Sequence, residues 1–554
     1  MAPKQSFGER HAARKKSAGR GRMMALVLVA VLVVGWAGFA LMAVSSLGDV
    51  PGGVVQEVEG LVSASVALAA GSAEVRLENA AELERDVRTG LMVPRFWEPS
   101  AQLSSNVEDF IQKDENGDDT IFVMIASYRD FQCRETVTSA LSRASKPGRV
   151  VIAVVQQNSD GDVPCNEPIK PCSEDPTQVL CSRQHQVKVY EMDAAEATGP
   201  VYARHVGNRM YRGEAFAMQV DAHVQFVNDW DVSLEAQWQS TGNEMAVLST
   251  YLTDVQGSLD ANGDSLRTTR PIMCNSAFEG QFPARYLRHG AQPEEEPAVH
   301  GSPMMQPFWA AGMSFARGHF VFRVPYDCCL PMVFMGEEIS MGIRGWTHGY
   351  DMYTLESSVV FHEYAVNSGR RRHVHMFWEN GGKSKTSGKA SGSSTASLKR
   401  LTAIIGMAPE VAAANDYDQT EDKRYGLGNV RDVAQFYKTF LVDVEHRTSA
   451  PLCKFVKTGV MHVEFSKFLR ADRRGVDYMQ LEHYDTAAAI LTELDTNWRP
   501  KARQGLYKAL EMGSVGWLAN ALDEAKRAEL ATTDPDLVLQ VQNALAQAKR
   551  AKRS

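Results

Sequence analysis

Asp221 and His223 stand two residues apart at the end of the run AFAMQVDAH, residues 215–223. Side chains at that spacing on a strand leave from the same face, so a carboxylate and an imidazole converge. Such a mixed oxygen and nitrogen set suits Mn2+ or Mg2+ when phosphate oxygens complete the shell. The ion would neutralise a departing diphosphate as a Lewis acid. Alone, the tripeptide is also what a turn aspartate beside a structural histidine looks like. Its meaning depends on its surroundings.

Holding such a pair in place requires a sheet. IFVMIAS, from Ile121, is a continuous apolar run after the turn-like DENGDD, as expected of a strand buried on both faces. A helical stretch over residues 133–145 leads through KPG to a second buried strand, RVVIAVVQQ (149–157). Beyond a Pro- and Cys-rich loop come an alternating strand, QVKVYEMD (186–193), and a helix over about residues 200–212. The strand that ends in Asp221 and His223 follows. Strands alternating with helices predict an α/β fold with a mainly parallel sheet flanked by helices. Ligands of such sheets bind beyond the carboxyl ends of the strands. Both the 127–131 loop and the 221–223 tripeptide fall there. Further on, residues 381–397 are almost wholly Gly, Ser, Thr, Lys and Ala and read as a flexible loop. Residues 398–445 and the last hundred read as helical.

The 554 residues are 44% hydrophobic and 23% charged, an ordinary globular mixture. A wholly disordered chain, a collagen and a small disulfide scaffold are excluded. A net charge of −8 leaves no global nucleic-acid footprint, so no nucleic-acid partner is expected. The basic residues are unevenly placed, with seven in residues 1–22 against one acidic residue. No charge occurs from residue 23 to residue 48, and a helix of that length, ~37 Å, crosses a ~30 Å hydrocarbon core. Basic residues before the span put the N-terminus in the cytoplasm. The expectation is a single-pass type II membrane protein whose remainder is luminal. A cleaved signal peptide is the rival, but its apolar region is usually shorter.

All eight cysteines (Cys133, Cys165, Cys172, Cys181, Cys274, Cys328, Cys329, Cys453) follow the span, and a lumen permits disulfides. No CxxC pair occurs, which speaks against zinc, and the pairing cannot be deduced. The chain contains no Asn-x-Ser/Thr acceptor.

Several longer motifs occur in this order: IFVMIASYRD, GPVYARHVGNRMYRGEAFAMQVDAH, WAAGMSFARGHF, PYDCCLPMVFMGEEISMGIRGWTHGYD, FHEY and RYGLGNVRDVAQFY. Together they resemble the polypeptide α-N-acetylglucosaminyltransferase family over roughly residues 120–445. Its members use UDP-GlcNAc, and some modify hydroxyproline on an F-box adaptor. Others start mucin-type chains on Thr or Ser in the Golgi. The family is similar in turn to the polypeptide N-acetylgalactosaminyltransferases, with a GT-A fold, a DxH metal motif and retention of configuration. The resemblance begins near residue 120; ahead of it, charge and hydropathy give residues 1–22 as cytoplasmic tail and 23–47 as transmembrane helix, and composition gives 48–116 as stem. The resemblance implies 117–445 as the GT-A catalytic domain and leaves 446–554 as a helical C-terminal extension without an assigned role.

Residue by residue, Asp221 and His223 match the metal motif, with Ala222 where Ser is usual. His362 in VVFHEY is the best match to a third ligand, with His373 and His375 as rivals. The resemblance implies Mn2+, with Mg2+ as the alternative. Ser127, Tyr128, Arg129 and Asp130 fall where the nucleotide binds. Arg204 resembles a donor-pocket arginine. Gln219, two before Asp221, falls near the sugar or is a satisfied core amide. Gly336, Glu337 and Glu338 match a segment in which glycine allows close approach and a carboxylate binds sugar hydroxyls. One of the two glutamates could instead serve the start of a helix through SMGIRGW. Ala310, Ala311 and Gly312 would leave room for the N-acetyl group and the acceptor. Trp346 and His348 are core residues more readily than contacts, and residues 424–428 and Arg431 receive no chemical role.

What this implies is metal-dependent, retaining transfer of GlcNAc from UDP-GlcNAc to a hydroxyl of a protein acceptor, in the Golgi membrane. No dedicated nucleophile is evident, so positioning and charge stabilisation would carry catalysis. Another UDP-sugar donor, a metal-dependent hydrolase, and a non-catalytic glycan- or partner-binding protein on the same scaffold remain as alternatives.

Overall fold

The strand Ile121–Tyr128 (β1) is buried over its first five residues. It runs parallel to Val150–Asn158 (β2) on one side and to Phe216–Asp221 (β4) on the other. Between them in sequence lie the helix Cys133–Arg143 (α1), the strand Val187–Asp193 (β3) and the helix Pro200–Asn208 (α2). β3 adds in parallel to the outer edge of β2. The computed structural model describes residues 83–98, 112–280, 285–295, 302–364, 377 and 393–551. The basic leader, the apolar stretch 23–47, most of the 48–116 stem segment, and His373 and His375 lie outside the described residues. Among the described residues no helix is long and apolar enough to cross a membrane. Of the two compact units, Met1–Leu83 and Glu84–Ser554, the second holds everything below.

Later elements complete the sheet: Val224–Phe226 (β5), Trp230–Ser240 (α3), Ala246–Ser249 (β6), Met304–Met305 (β7), Met313–Arg317 (β8), Glu337–Thr347 (α4), Asp351–Thr354 (β9) and Val360–His362 (β10). Eight strands join in the order β7-β9-β6-β8-β4-β1-β2-β3. The sheet is parallel from β3 through β4 and becomes mixed at β8, which is antiparallel to both β4 and β6. β5 and β10 form a separate antiparallel ribbon beyond the end of β4. The α1 helix fixes the join between β4 and the ribbon. Buried Thr136 donates its hydroxyl to the Ala222 carbonyl at 2.9 Å and accepts from the Val224 N–H at 3.0 Å.

Four cystines pair all eight cysteines: Cys133–Cys165, Cys172–Cys181, Cys274–Cys453 and Cys328–Cys329. Cys165 therefore leaves its crowded loop to join the start of α1.

The helix expected over 200–212 stops at Asn208 and continues as turns. The loop expected over 381–397 is overturned at its far end, where Ser393–Ile404 (α5) is helical. Its composition hides the reason. Leu398 and Leu401 pack against Gly336, Ser397 donates to the Pro331 carbonyl at 2.8 Å, and buried Arg400 pairs with Asp327. The helical expectation for 398–445 holds only for α5, Pro409–Ala413 and Val433–Thr439. The segment between the last two is built of turns and short bends. The main apolar core does not break at residue 445, because Leu452, Phe455, Phe465, Tyr478 and Leu481 belong to it. A second cluster forms within the helices Arg499–Met512 (α6), Val515–Arg527 (α7) and Pro535–Ala551 (α8).

One buried ion cluster holds the start of β2. Arg149 is 1% exposed and pairs with Asp231, which is 0% exposed, and with Glu235 on α3. Asp231 also accepts from the Ser145 N–H at 2.7 Å. Removing one partner strands the other charge in the interior. Arg149→Met is thus expected to lower the unfolding free energy by about 3–5 kcal/mol, read from urea denaturation; a change under about 1 kcal/mol would mean that the cluster is solvated.

Candidate active site

A cleft of about 770 Å3 opens beyond the carboxyl ends of β1, β2 and β4, where an open α/β sheet receives its ligands. β4 ends at Asp221, and His223 begins the turn into β5. The ribbon register does the rest: His362 pairs with Val224, and the Glu363 N–H donates to the His223 carbonyl at 2.9 Å. His362 is thereby laid beside His223. Their Nε2 atoms are 2.8 Å apart, and His362 Nε2 is 3.4 Å from Asp221 Oδ2. The two rings meet edge to face, at 86° with centroids 4.4 Å apart.

These three groups offer one oxygen and two nitrogens within 4.8 Å of one another. A donor set of that kind fits a divalent cation such as Mn2+. A Cβ on Gly312 would stand 3.7 Å from Asp221 Oδ2, so the missing side chain leaves this corner open.

Asp221 is shared. Its Oδ1 accepts from Arg204 Nη2 at 2.8 Å. Burial pushes its pKa up, but the His362 hydrogen bond and the Arg204 charge outweigh that and hold it well below the usual carboxylate range. It stays ionised, as a ligand must. Arg204, itself buried on α2, also pairs with Glu337 on α4. Glu337 accepts from the Tyr326 hydroxyl at 2.8 Å. Its neighbour Glu338 accepts from the Ala311 N–H at 2.8 Å and the Tyr251 hydroxyl at 2.7 Å. Burial raises the pKa of both glutamates, against the Arg204 charge. Both lie in the first turn of α4, where the helix dipole favours negative charge.

Of the residues expected here, Tyr128, Arg129, Asp130, Arg204, Asp221, His223, Gly312, Glu337, Glu338 and His362 line the cleft. Ala311 lines it as well, whereas fully buried Ala310 and three others do not. Ser127 is fully buried between Ala126 and Tyr128, so strand alternation turns it away from the cleft that they line. Gln219 is a satisfied core amide, donating to the Ala311 carbonyl at 2.7 Å and to the Tyr326 hydroxyl at 3.0 Å. Gly336 serves the backbone: its φ of 96° starts α4, and a Cβ there would meet Leu401 at 3.4 Å, away from the cleft. Arg129 lines the cleft with its charge engaged by Asp162, at 2.8 and 3.1 Å. Trp346 packs edge-on against Phe436 and Tyr478, and His348 bonds the Arg344 carbonyl. Arg431 is buried against Asp351.

Sequence reading missed Tyr251, Tyr326, Gln157, Arg288, Phe334 and Tyr364. Five of these line the cleft, and Tyr326 stands behind it. Tyr251 was within reach, since it lies just past the end of β6, but that four-residue strand left no readable pattern. Gln157 was within reach too, at the carboxyl end of β2; the others arrive on loops or on a small hairpin, with no spacing to announce them.

Fold and site together define an α/β protein with a cleft at its strand ends, in which Asp221, His223 and His362 form a donor set that fits a divalent cation. The profile of the family described as glycosyltransferase (GlcNAc) matches residues 120–175 and 168–446. That is more than half of the chain, which therefore belongs to this family. Among solved structures, that of GalNAc-T7 with UDP, GalNAc and Mn2+ is 15% identical over 60% of this chain, with a TM-score of 0.37. The chain spans 61% of that structure's length. Staphylococcus aureus TarS 1–349 in complex with UDP-GlcNAc is 12% identical over 58% of this chain and 73% of its own, with a TM-score of 0.29. No curated protein matches in sequence.

The Arg204 bridge gives a direct test. Arg204→Met leaves Asp221 and Glu337 facing each other without a cation between them, and should lower the unfolding free energy by about 3 kcal/mol. Arg204→Lys keeps the charge but cannot fork to both carboxylates, and should lose less. Equal stability of wild type and Arg204→Met in urea would refute the bridge.

Proposed function

We propose that the protein transfers GlcNAc from UDP-GlcNAc to a hydroxyl of a polypeptide, on Thr, Ser or hydroxyproline, with retention of configuration and dependence on a divalent cation. The observation that carries this reading is the convergence of Asp221, His223 and His362 in one cleft with Arg204, Glu337 and Glu338. Membership of the glycosyltransferase (GlcNAc) family supports it.

Asp221, His223 and His362 would hold the cation, Mn2+ before Mg2+, which when bound would supply Lewis-acid neutralisation of the departing diphosphate. The chain's own groups do the remainder. Tyr128 flanks the nucleotide, at the carboxyl end of β1. Glu338, half-buried and already oriented by Tyr251 and Ala311, accepts hydrogen bonds from donor sugar hydroxyls. Gly312 and Ala311 leave space beside Asp221 for the N-acetyl group. Arg204 fixes Asp221 and Glu337 at once, so little rearrangement is needed when the donor binds. The acceptor hydroxyl attacks the sugar face from which UDP departs, and its proton passes to a leaving phosphate oxygen. The described residues that line the cleft include no nucleophile placed for a double displacement other than these carboxylates.

The purified protein should turn over UDP-GlcNAc in Mn2+ and stop in chelator. Asp221→Ala and His362→Ala should each lower turnover roughly 100-fold or more with unchanged circular dichroism. Turnover that survives both substitutions would overturn the cation assignment. Preference for a different UDP-sugar would overturn the donor, and failure to bind UDP would overturn the transferase reading.

We also propose a Golgi protein anchored through residues 23–47 with its catalytic unit in the lumen. The basic leader and the four cystines support this, since disulfides persist in oxidising compartments. In intact Golgi vesicles a C-terminal tag should resist protease until detergent is added. Digestion without detergent would put the catalytic unit in the cytosol.

A further inference from the structure

Asp130 matches a position expected to bind nucleotide, yet its Oδ2 lies 2.7 Å from His223 Nδ1. We infer that Asp130 is a positioning residue that fixes His223 with Nε2 toward Asp221 and His362, and so sets the affinity of the cleft for a divalent cation. This rests on the reading of those three residues as cation ligands.

A neutral imidazole carries its proton on one nitrogen and a lone pair on the other. A carboxylate oxygen against Nδ1 accepts that proton's hydrogen bond and leaves the Nε2 lone pair free to ligate. In this protein Nε2 is the atom that faces His362 Nε2, at 2.8 Å. Without the acceptor, the ring can rotate about its side-chain bonds and carry either tautomer. Partners of this kind orient the ring and raise its basicity toward a metal.

The turn after β1 is built to hold Asp130 still. Its other oxygen, Oδ1, accepts from the Gln132 N–H at 2.9 Å. The preceding residue, Arg129, has a φ of 50°, a conformation that a non-glycine residue keeps only where its neighbours impose it. Three contacts impose it here. The Arg129 N–H donates to the Gln157 carbonyl at 3.0 Å, and its guanidinium grips Asp162 through Nε and Nη2. The Cys133–Cys165 cystine ties the start of α1 to the loop that carries Asp162. Arg129 thus acts as a strut of the turn, and the turn delivers Asp130 beneath His223.

The test titrates the full-length wild type, Asp130→Ala and Asp130→Asn with Mn2+ alone by calorimetry, then with UDP at saturating Mn2+. Asp130→Ala should weaken Mn2+ binding roughly 10–100-fold. Asp130→Asn has one acceptor oxygen, and giving it to Nδ1–H turns its amide NH2 toward the Gln132 N–H, so it should recover only part of that loss. UDP affinity at saturating Mn2+ should be unchanged in both. Should the alanine variant fail to fold, Asp130→Ser carries the same expectation, because its hydroxyl can still cap Gln132 but falls short of the ring. Equal Mn2+ affinity in wild type and Asp130→Ala overturns the inference, as does a fall in UDP affinity at saturating Mn2+, which would make Asp130 a nucleotide contact. A wild type that binds no Mn2+ overturns the cation reading and this inference together; binding by wild type and alanine variant alike overturns this inference alone.

Discussion

An ionised carboxylate in a largely buried setting has to be answered on every side, and Asp221 imposes that demand on the whole cleft. Arg204 answers one oxygen and His362 the other. Arg204 is itself buried, so its charge calls for Glu337, which calls for the Tyr326 hydroxyl, which accepts from Gln219. Five elements or loops are pinned through this one chain of partners, because an unanswered polar group in low dielectric is costly. It ties α2 to α4 and the end of β10 to β4, beside the Thr136 hydrogen bonds that fix the join of the ribbon to the sheet. The site is therefore a condition of the fold as much as a product of it.

Much of this frame was legible in the residues. Parallel strands covered on both faces must be apolar throughout, so β1 and β2 announced themselves as unbroken hydrophobic runs. Asp221 and His223 could be singled out by their spacing at a strand end, yet β4 stops at Asp221 and His223 sits in the turn beyond it, so the turn and not strand alternation brings them together. His362 was different. It lies 139 residues from His223, and only the register of a three-residue ribbon brings it there. Spacing says nothing about such a meeting, and only likeness to a family proposed it.

What stayed hidden shares a cause. Ser127 and Gln219 lie in the right segments, but which face of a strand looks into the cleft depends on what packs across it. Arg129 and Asp130 read as part of the turn where the nucleotide binds. Their partners, Asp162 and His223, come from other parts of the chain, so the charges were spoken for before any ligand arrived. The low-complexity composition of 393–397 suggested flexibility, whereas α5 is held by Leu398 and Leu401 against Gly336 and by the buried Arg400–Asp327 pair. Short strands such as β6 and β7, of four and two residues, carry too few side chains to show any period.

The Cys274–Cys453 cystine closes a loop of 179 residues, and within it lie Glu337, Glu338 and His362. A chain synthesised from its N-terminus exposes Cys274 long before its partner emerges. During that interval the first half of the sheet, with Asp221 and His223, can form, while Cys274 remains a reactive thiol. The bond can close only after both glutamates and the third candidate ligand have been made. Its closure thus marks completion of the cleft, and a chain that stalls before residue 453 carries an unpaired thiol as a chemical label of its own incompleteness.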